Sequence, residues 1–326
     1  MRCEVCDDTN KYFAQSEREC TNCPKFSRIG IVAGIFTGIF LCVFIIKYIA
    51  RQYRDIEQFF LKILSALTAI GIQAKFKIFI SFCQVVVTIQ PIYGVRMHSA
   101  FTSWFSLFDI FNFGLEETFG IPGSCFGSMK ARLLIGAGWP YALALFMISG
   151  IFIYTFTINL RRLERKDALA RFFFLSLRGV IFIFYLVLPS VSRQIFDART
   201  CESFDSDDAR NELSSYLIAD WSVKCDSEDS GYKALTQVFW ALFGISPVAI
   251  PVGGFFLLVL IRPSVQSNTT TPLADACRFL WVDYNRDLML WEVIDVVRKI
   301  SLTGLILFID TEEGSERILR LLVAQS

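Results

Sequence analysis

Cys3, Cys6, Cys20 and Cys23 form the pattern Cys-x2-Cys-x13-Cys-x2-Cys at the start of the chain. Two chemistries suit it. As thiolates, the four sulfurs can hold a zinc ion tetrahedrally. As oxidised pairs, they staple a knuckle too small to have much core, and the cross-links then supply most of its stability. A long apolar run begins near Ile29. A module joined directly to a membrane span favours disulfides over zinc, because paired cysteines belong outside the cytosol. Cys201 and Cys225 bracket a strongly acidic stretch and are expected to pair with each other. Cys125 is then left over, and its expected partner lies outside this chain. Cys42 and Cys83 lie in spans and Cys277 is expected in the cytosol; all three read as free thiols serving as small apolar residues.

No other pattern carries catalytic chemistry. His98 is the only histidine, so a His-based triad or a zinc-protease site is excluded. There is no phosphate-binding loop and no dinucleotide fingerprint. No run of arginines at every third position marks a voltage sensor, and no potassium-filter sequence is present. A formal charge of +1 argues against nucleic acid as a partner. The chain is therefore expected not to be an enzyme, with no cofactor and no metal.

The elements that position these cysteines are membrane spans. The apolar share is 54% and the charged share 19%, against about 45–50% and about 25% in ordinary soluble domains. Phe occurs 33 times, and the excess is clustered in runs. Six segments approach the roughly 20 apolar residues a spanning helix needs. They are Ile29–Ala50, Phe76–Val95, Leu133–Leu160, Phe172–Ile195, Leu235–Ile261 and a weaker one near Ile300–Ile309, with Trp291–Val297 as a candidate extension. Ile318–Val323 reads as the start of a seventh, truncated span. The expected fold is an all-α, polytopic helical membrane protein with a small disulfide-rich knuckle at residues 1–26 and a membrane domain at 27–326. The chain as a whole reads as an internal piece of a longer protein.

Loop charges set the expected orientation. Lys47, Arg51, Arg54, Lys62, Lys75 and Lys77 crowd the first connection, and Arg161, Arg162, Arg165, Lys166 and Arg171 the third. Arg262, Arg278 and Arg286 lie in the fifth, which ends at Arg298 and Lys299. These connections, about 51–75, 161–171 and 262–290, are expected in the cytosol. The fourth, 197–232, has ten acids against Arg199, Arg210 and Lys224 and is expected outside, together with the N-terminus. Asn268-Thr269-Thr270 is a glycosylation sequon in a loop expected in the cytosol, so it is read as unused.

Several segments have secondary roles. Tyr53–Ile72 has one apolar helical face and suits the inner leaflet. Ala100–Phe119 is rich in Phe and Trp and suits an outer interfacial anchor, with a pore-lining re-entrant segment as the alternative. Gly30, Gly34 and Gly38 form a stripe on the first span that lets a neighbouring helix, or a second copy of the chain, approach closely. Pro140, Pro189, Pro247 and Pro251 fall in spans and are expected to bend them. The acidic loop reads as a solvated, disulfide-closed loop. A cation-attracting vestibule, with Asp205, Asp207 and Asp208 able to touch Ca2+, is the alternative. Charges at membrane depth are functional candidates. Arg178 either snorkels to the inner surface or pairs with an acid on a neighbour. Glu292, Asp295, Arg298 and Lys299 share one helix that reads as amphipathic and cytosolic, with Asp295 in reach of Arg298 and Lys299.

Four segments together carry a resemblance. They are Lys77–Pro91 (KIFISFCQVVVTIQP), Leu186–Phe196 (LVLPSVSRQIF), the loop with Cys201, Tyr216, Leu217, Asp220 and Cys225, and Trp291–Gly304 (WEVIDVVRKISLTG). The chain resembles the membrane region of large multi-pass proteins of protists and algae that carry extracellular cysteine-rich repeats of the ephrin-receptor-like type. Those proteins are compared with fungal TRP-like and polycystin-type channels. The resemblance covers nearly the whole chain, with Cys3 to Cys23 matching the end of the last repeat. It implies an integral protein, at the plasma membrane, with a cysteine-rich ectodomain that binds an unknown extracellular ligand. The expected function is a TRP-like cation channel or channel-related subunit. The alternative is a non-conducting receptor or adhesion protein. The expected partners are the lipid bilayer, a second copy through the spans, and that ligand.

Overall fold

A computed structural model describes residues 11–14, 19–23, 71–93, 127–158, 165–205, 213–225, 230–269 and 271–304, with Cys6, His98, Trp104, Phe108 and Cys125 as single residues. Cys3, Cys42, the glycine stripe, the first span, the inner-leaflet segment, most of 100–119 and everything beyond Gly304 lie outside the described residues.

The described part is mostly helical. Strands β1 (Lys11–Ala14) and β2 (Glu19–Asn22) form an antiparallel hairpin with Phe13 opposite Cys20. Helix α1 runs over Ile72–Tyr93, α2 over Met129–Ile158 and α3 over Arg165–Asp197. A three-stranded antiparallel sheet follows, with β3 (Cys201–Asp205), β4 (Leu213–Leu217) and β5 (Asp220–Lys224) in that order. Helix α4 (Ser230–Phe243) passes through a π-helical segment (Gly244–Val248) into α5 (Ala249–Gln266). Short helices α6 (Pro272–Ala276) and α7 (Arg278–Trp281) and a 3-10 turn (Arg286–Leu288) lead to α8 (Trp291–Thr303).

Among the described residues three helices are long and apolar enough to cross a membrane: Met129–Phe156, Lys166–Asp197 and Gly231–Gln266. Their surfaces explain the composition. Leu145 is 65% exposed, Leu260 66% and Phe256 60%. Leaving such a side chain in water forfeits about 1.5–3 kcal/mol that burial would give. Helices that expose so many apolar side chains suit a hydrocarbon surround, which agrees with an integral membrane protein.

Packing joins the helices along one side each. Leu133 and Ala137 of α2, Val187, Val191 and Ile195 of α3, and Leu235 and Phe239 of α4 form one core. Leu217 of β4 inserts into it, fully buried, and so seats the small sheet on the helix ends. Arg132 near the start of α2 donates to the Ala219 carbonyl at 3.3 Å and lies 3.9 Å from Asp220. A second core at the other end gathers Leu258, Ile261 and Val265 of α5 with Ala274, Cys277, Leu280 and Met289.

The structure departs from several expectations. The acidic loop is closed by its disulfide as expected, but part of it forms a three-stranded sheet, to which Phe204, Tyr216, Trp221 and Val223 lend strand-favouring side chains. The third connection is shorter than charge suggests, since α3 already begins at Arg165 and carries Lys166 and Arg171 on its first turns. Cys125 bonds to Cys23, not to a cysteine outside the chain. Cys6 bonds to Cys20, and Cys201 bonds to Cys225 as expected. Spacing within the knuckle gave no hint that one of its cysteines reaches across 102 residues. Cys83 and Cys277 are buried free thiols. The helix bearing Pro247 and Pro251 changes winding at that point: Pro247 sits within the π-helical segment, where its missing N–H breaks the regular ladder.

Candidate functional site

The site grows from α8. Residues spaced three and four apart share a helix face, and here Glu292, Lys299, Ile300 and Thr303 are buried while Trp291, Ile294 and Val297 are exposed. The helix turns Glu292 and Lys299 inward, while Arg298 and several large apolar residues face outward. It is amphipathic, as expected, but its buried face carries those two charges while large apolar side chains lie on its exposed face.

The partners come from α1. Its inner face is also polar, with Lys77, Gln84 and Thr88 buried beside Ile80 and Cys83. Gln84 Nε2 donates to the Leu186 carbonyl of α3 at 2.6 Å, which fixes the two helices in register. Lys77 Nζ lies 3.0 Å from Asp283 Oδ2 and 3.2 Å from Glu292 Oε1, and it donates to the Phe279 carbonyl at 2.5 Å. Its ammonium also stands 4.4 Å from the centre of the Phe279 ring. Lys77 therefore belongs to the packed interior, not to the loop charges that set orientation.

A second cation completes the cluster. Lys299 Nζ lies 2.7 Å from Asp295 Oδ2 and donates to the Tyr185 hydroxyl of α3 at 3.1 Å, with the Tyr185 ring centre 4.7 Å away. Arg298 Nη2 reaches the other Asp295 oxygen at 2.7 Å from a mostly exposed position. Asp295 thus meets both cations within reach on its own helix, as the spacing suggests. Gln73 Nε2 donates to Asp283 at 3.1 Å. The Tyr284 hydroxyl is held well above its ordinary range, first by burial and then by the neighbouring Glu292 carboxylate, so it keeps its proton.

Glu292 is the least satisfied member. It is 1% exposed, and neither of its oxygens has a hydrogen bond of good geometry. The Lys77 ammonium is its ion-pair partner among the described residues. Desolvating an ion costs several kcal/mol and is offset only by close, well-aligned partners. A carboxylate this poorly served is a weak contributor to stability, and that makes it a functional candidate. It also forms part of the wall of a cavity of about 280 Å³ between α3, α5 and α8.

Arg178 has a different fate. It pairs with Asp275 at 2.7 Å on the connection after α5. Both side chains are about half exposed, so the pair contributes little, roughly 0.2–1 kcal/mol. At the π-helical segment the buried Ser246 hydroxyl meets Tyr141 OH of α2 at 2.8 Å. The described residues hold no group of three or more metal-ligating side chains, and Asp207 and Asp208 lie outside them.

Lys77, Asp283 and Tyr185 are the members sequence reasoning missed. A signal existed: Lys77, Ser81, Gln84 and Thr88 recur at helical spacing within an otherwise apolar run. No family model, curated protein or solved structure matches this chain.

Proposed function

We propose that this is a multi-pass surface membrane protein acting as a TRP-like cation channel or channel-related subunit. The observation that carries this reading is the buried ionic cluster of Lys77, Asp283, Glu292, Asp295 and Lys299, which ties α8 to α1 and α3. Ionisable groups at membrane depth mark ion paths or moving parts. A cluster with one underserved carboxylate is a poor static strut and a good exchangeable contact. The π-helical segment at Gly244–Val248 supplies a second adjustable point, since π-bulges sit mostly at functional positions.

In this reading all six apolar segments span: the three long apolar helices above, the first segment near Ile29–Ala50, α1, and the segment that α8 enters. The disulfide-bonded ends face outward. Cys125 precedes α2, and Cys201–Cys225 closes the sheet that Arg132 of α2 touches. Arg262, Arg278 and Arg286 lie at the far end of α5. The Gly231–Gln266 helix is 36 residues long, about 54 Å at 1.5 Å per residue. Oxidised cysteines outside and basic residues inside agree.

The Cys23–Cys125 bond supports a second reading, a receptor whose ectodomain pulls on α2 through that covalent link. Recording cation currents from the full-length protein in planar bilayers separates the two. Currents that change when Glu292 is replaced by Gln support the channel. A protein that stays silent under ectodomain ligands, voltage and stretch leaves the receptor.

A further inference from the structure

The cavity beside Glu292 is lined mostly by hydrocarbon, including Val180, Phe184, Ile250, Leu257 and Val293. At about 280 Å³ it is close to the small end of small-molecule sites, which run from roughly 300 Å³ upward. Gly253 and Gly254 of α5 also line it, and a Cβ built on either would meet nothing within 4 Å. That stretch therefore presents flat backbone to open space. Three side chains on the wall carry oxygen. The Tyr141 hydroxyl is bonded to Ser246, and the Tyr185 oxygen accepts from Lys299. Glu292 is the third: Lys77 lies 3.2 Å from one of its oxygens and the Tyr284 hydroxyl stands beside it, but neither oxygen has a hydrogen bond of good geometry.

We propose that this cavity binds a membrane sterol, its hydroxyl donating to Glu292 and its ring body lying along α3 and the glycine face of α5. The inference rests on the reading that these helices span a bilayer. A buried acceptor left wholly unsatisfied costs about 1–3 kcal/mol, and a well-aligned ligand hydroxyl recovers the part that the poorly aligned neighbours of Glu292 leave unmet. Charge selects a neutral ligand. Lys77, Arg298 and Lys299 balance Asp283, Glu292 and Asp295, so an added amine or phosphate would unbalance the cluster. The wall selects against acylglycerols, because their ester carbonyls would meet hydrocarbon with no donor. One hydroxyl on a rigid hydrocarbon body fits one acceptor on a flat apolar wall.

The test uses the full chain in nanodiscs with a photoreactive sterol, the crosslink mapped by mass spectrometry. Labelling is expected on α3, α5 or α8 residues of the cavity, displaced by unlabelled sterol. It should fall at least fivefold in Gly254→Phe, which fills the space, and in Glu292→Leu. The corresponding sterol ketone, which has no donor, should compete at least fivefold less well. The proposal is overturned by any of three results: no displaceable label in the cavity, label unchanged in Gly254→Phe, or a ketone or a diacylglycerol that competes as well as the alcohol. Alkaline extraction of membranes separates the underlying reading. A protein released into solution refutes the spanning helices, whereas one that is retained but not labelled refutes the sterol alone.

Discussion

Replacing Lys77 by Met removes one charge and leaves a methylene chain of similar size. The Lys77 side chain is 7% exposed and that of Glu292 only 2%. After the change Glu292 loses its direct ion pair and keeps only the more distant Lys299, which is already held by Asp295 at 2.7 Å and by Tyr185. Breaking a buried pair from one side costs about 3–5 kcal/mol. Glu292→Leu is the milder change: Lys77 keeps Asp283 at 3.0 Å and the Phe279 carbonyl. Its cost should be smaller, about 1–2 kcal/mol. The double variant should be more stable than Lys77→Met alone by about 2 kcal/mol, since it removes the stranded carboxylate. Asp283 then remains served by Gln73 and by solvent. Thermal unfolding in nanodiscs reads these differences, at about 2–4 °C per kcal/mol for a domain of some 150–250 residues. Lys77→Met should therefore fall by roughly 10 °C. A midpoint within 2 °C of the parent's, or a double variant as unstable as the sum of the singles, would refute the cluster as described.

Three further outcomes follow from local geometry. In Gly304→Ala the new methyl would collide with the buried Phe196 ring, whereas in Gly179→Ala it meets only the flexible end of Met147. The first should destabilise by about 1–3 kcal/mol and the second by under about 1 kcal/mol on the same melts. Cys201→Ser opens a 24-residue separation, which chain entropy values at about 3.5 kcal/mol, and non-reducing peptide mapping should still find the Cys23–Cys125 bond in that variant. The Cys277 thiol is fully buried, and burial pushes it up to about 11 from an ordinary 9.0. It should resist maleimide at pH 8 until the protein unfolds. Because the folded state favours the neutral thiol, its contribution is complete below about pH 9 and declines as pH rises toward 11; a melting point that rises across that window would contradict this.

The long helices were legible because twenty or more apolar residues in a row admit one interpretation. Their ends were not, since the charged residues Arg165, Lys166 and Asp167 fit a helix start as well as a loop. Asp295, Arg298 and Lys299 were legible as a unit because their partners are three and four residues away. Lys77 was misread for the opposite reason. Charge counting treats a lysine beside a span as a loop residue, and nothing local shows that Asp283 and Glu292, more than 200 positions later, wait for it. The Cys23–Cys125 bond was hidden the same way: spacing within the knuckle suggests closure inside it, but the partner is set by tertiary approach. The inward stripe of α8 needed the structure too, because a charged face reads as solvent-facing until its neighbours are known.

In the proposed reading the disulfide end and the basic end lie on opposite sides of a bilayer. Glycosylation mapping in a eukaryotic host tests this directly. The native sequon at Asn268 should stay unmodified, and a new one made by Asp208→Asn with Arg210→Thr should gain a glycan removable by endoglycosidase. A glycan on Asn268, or none on the 206–212 segment with Asn268 modified instead, would contradict the account.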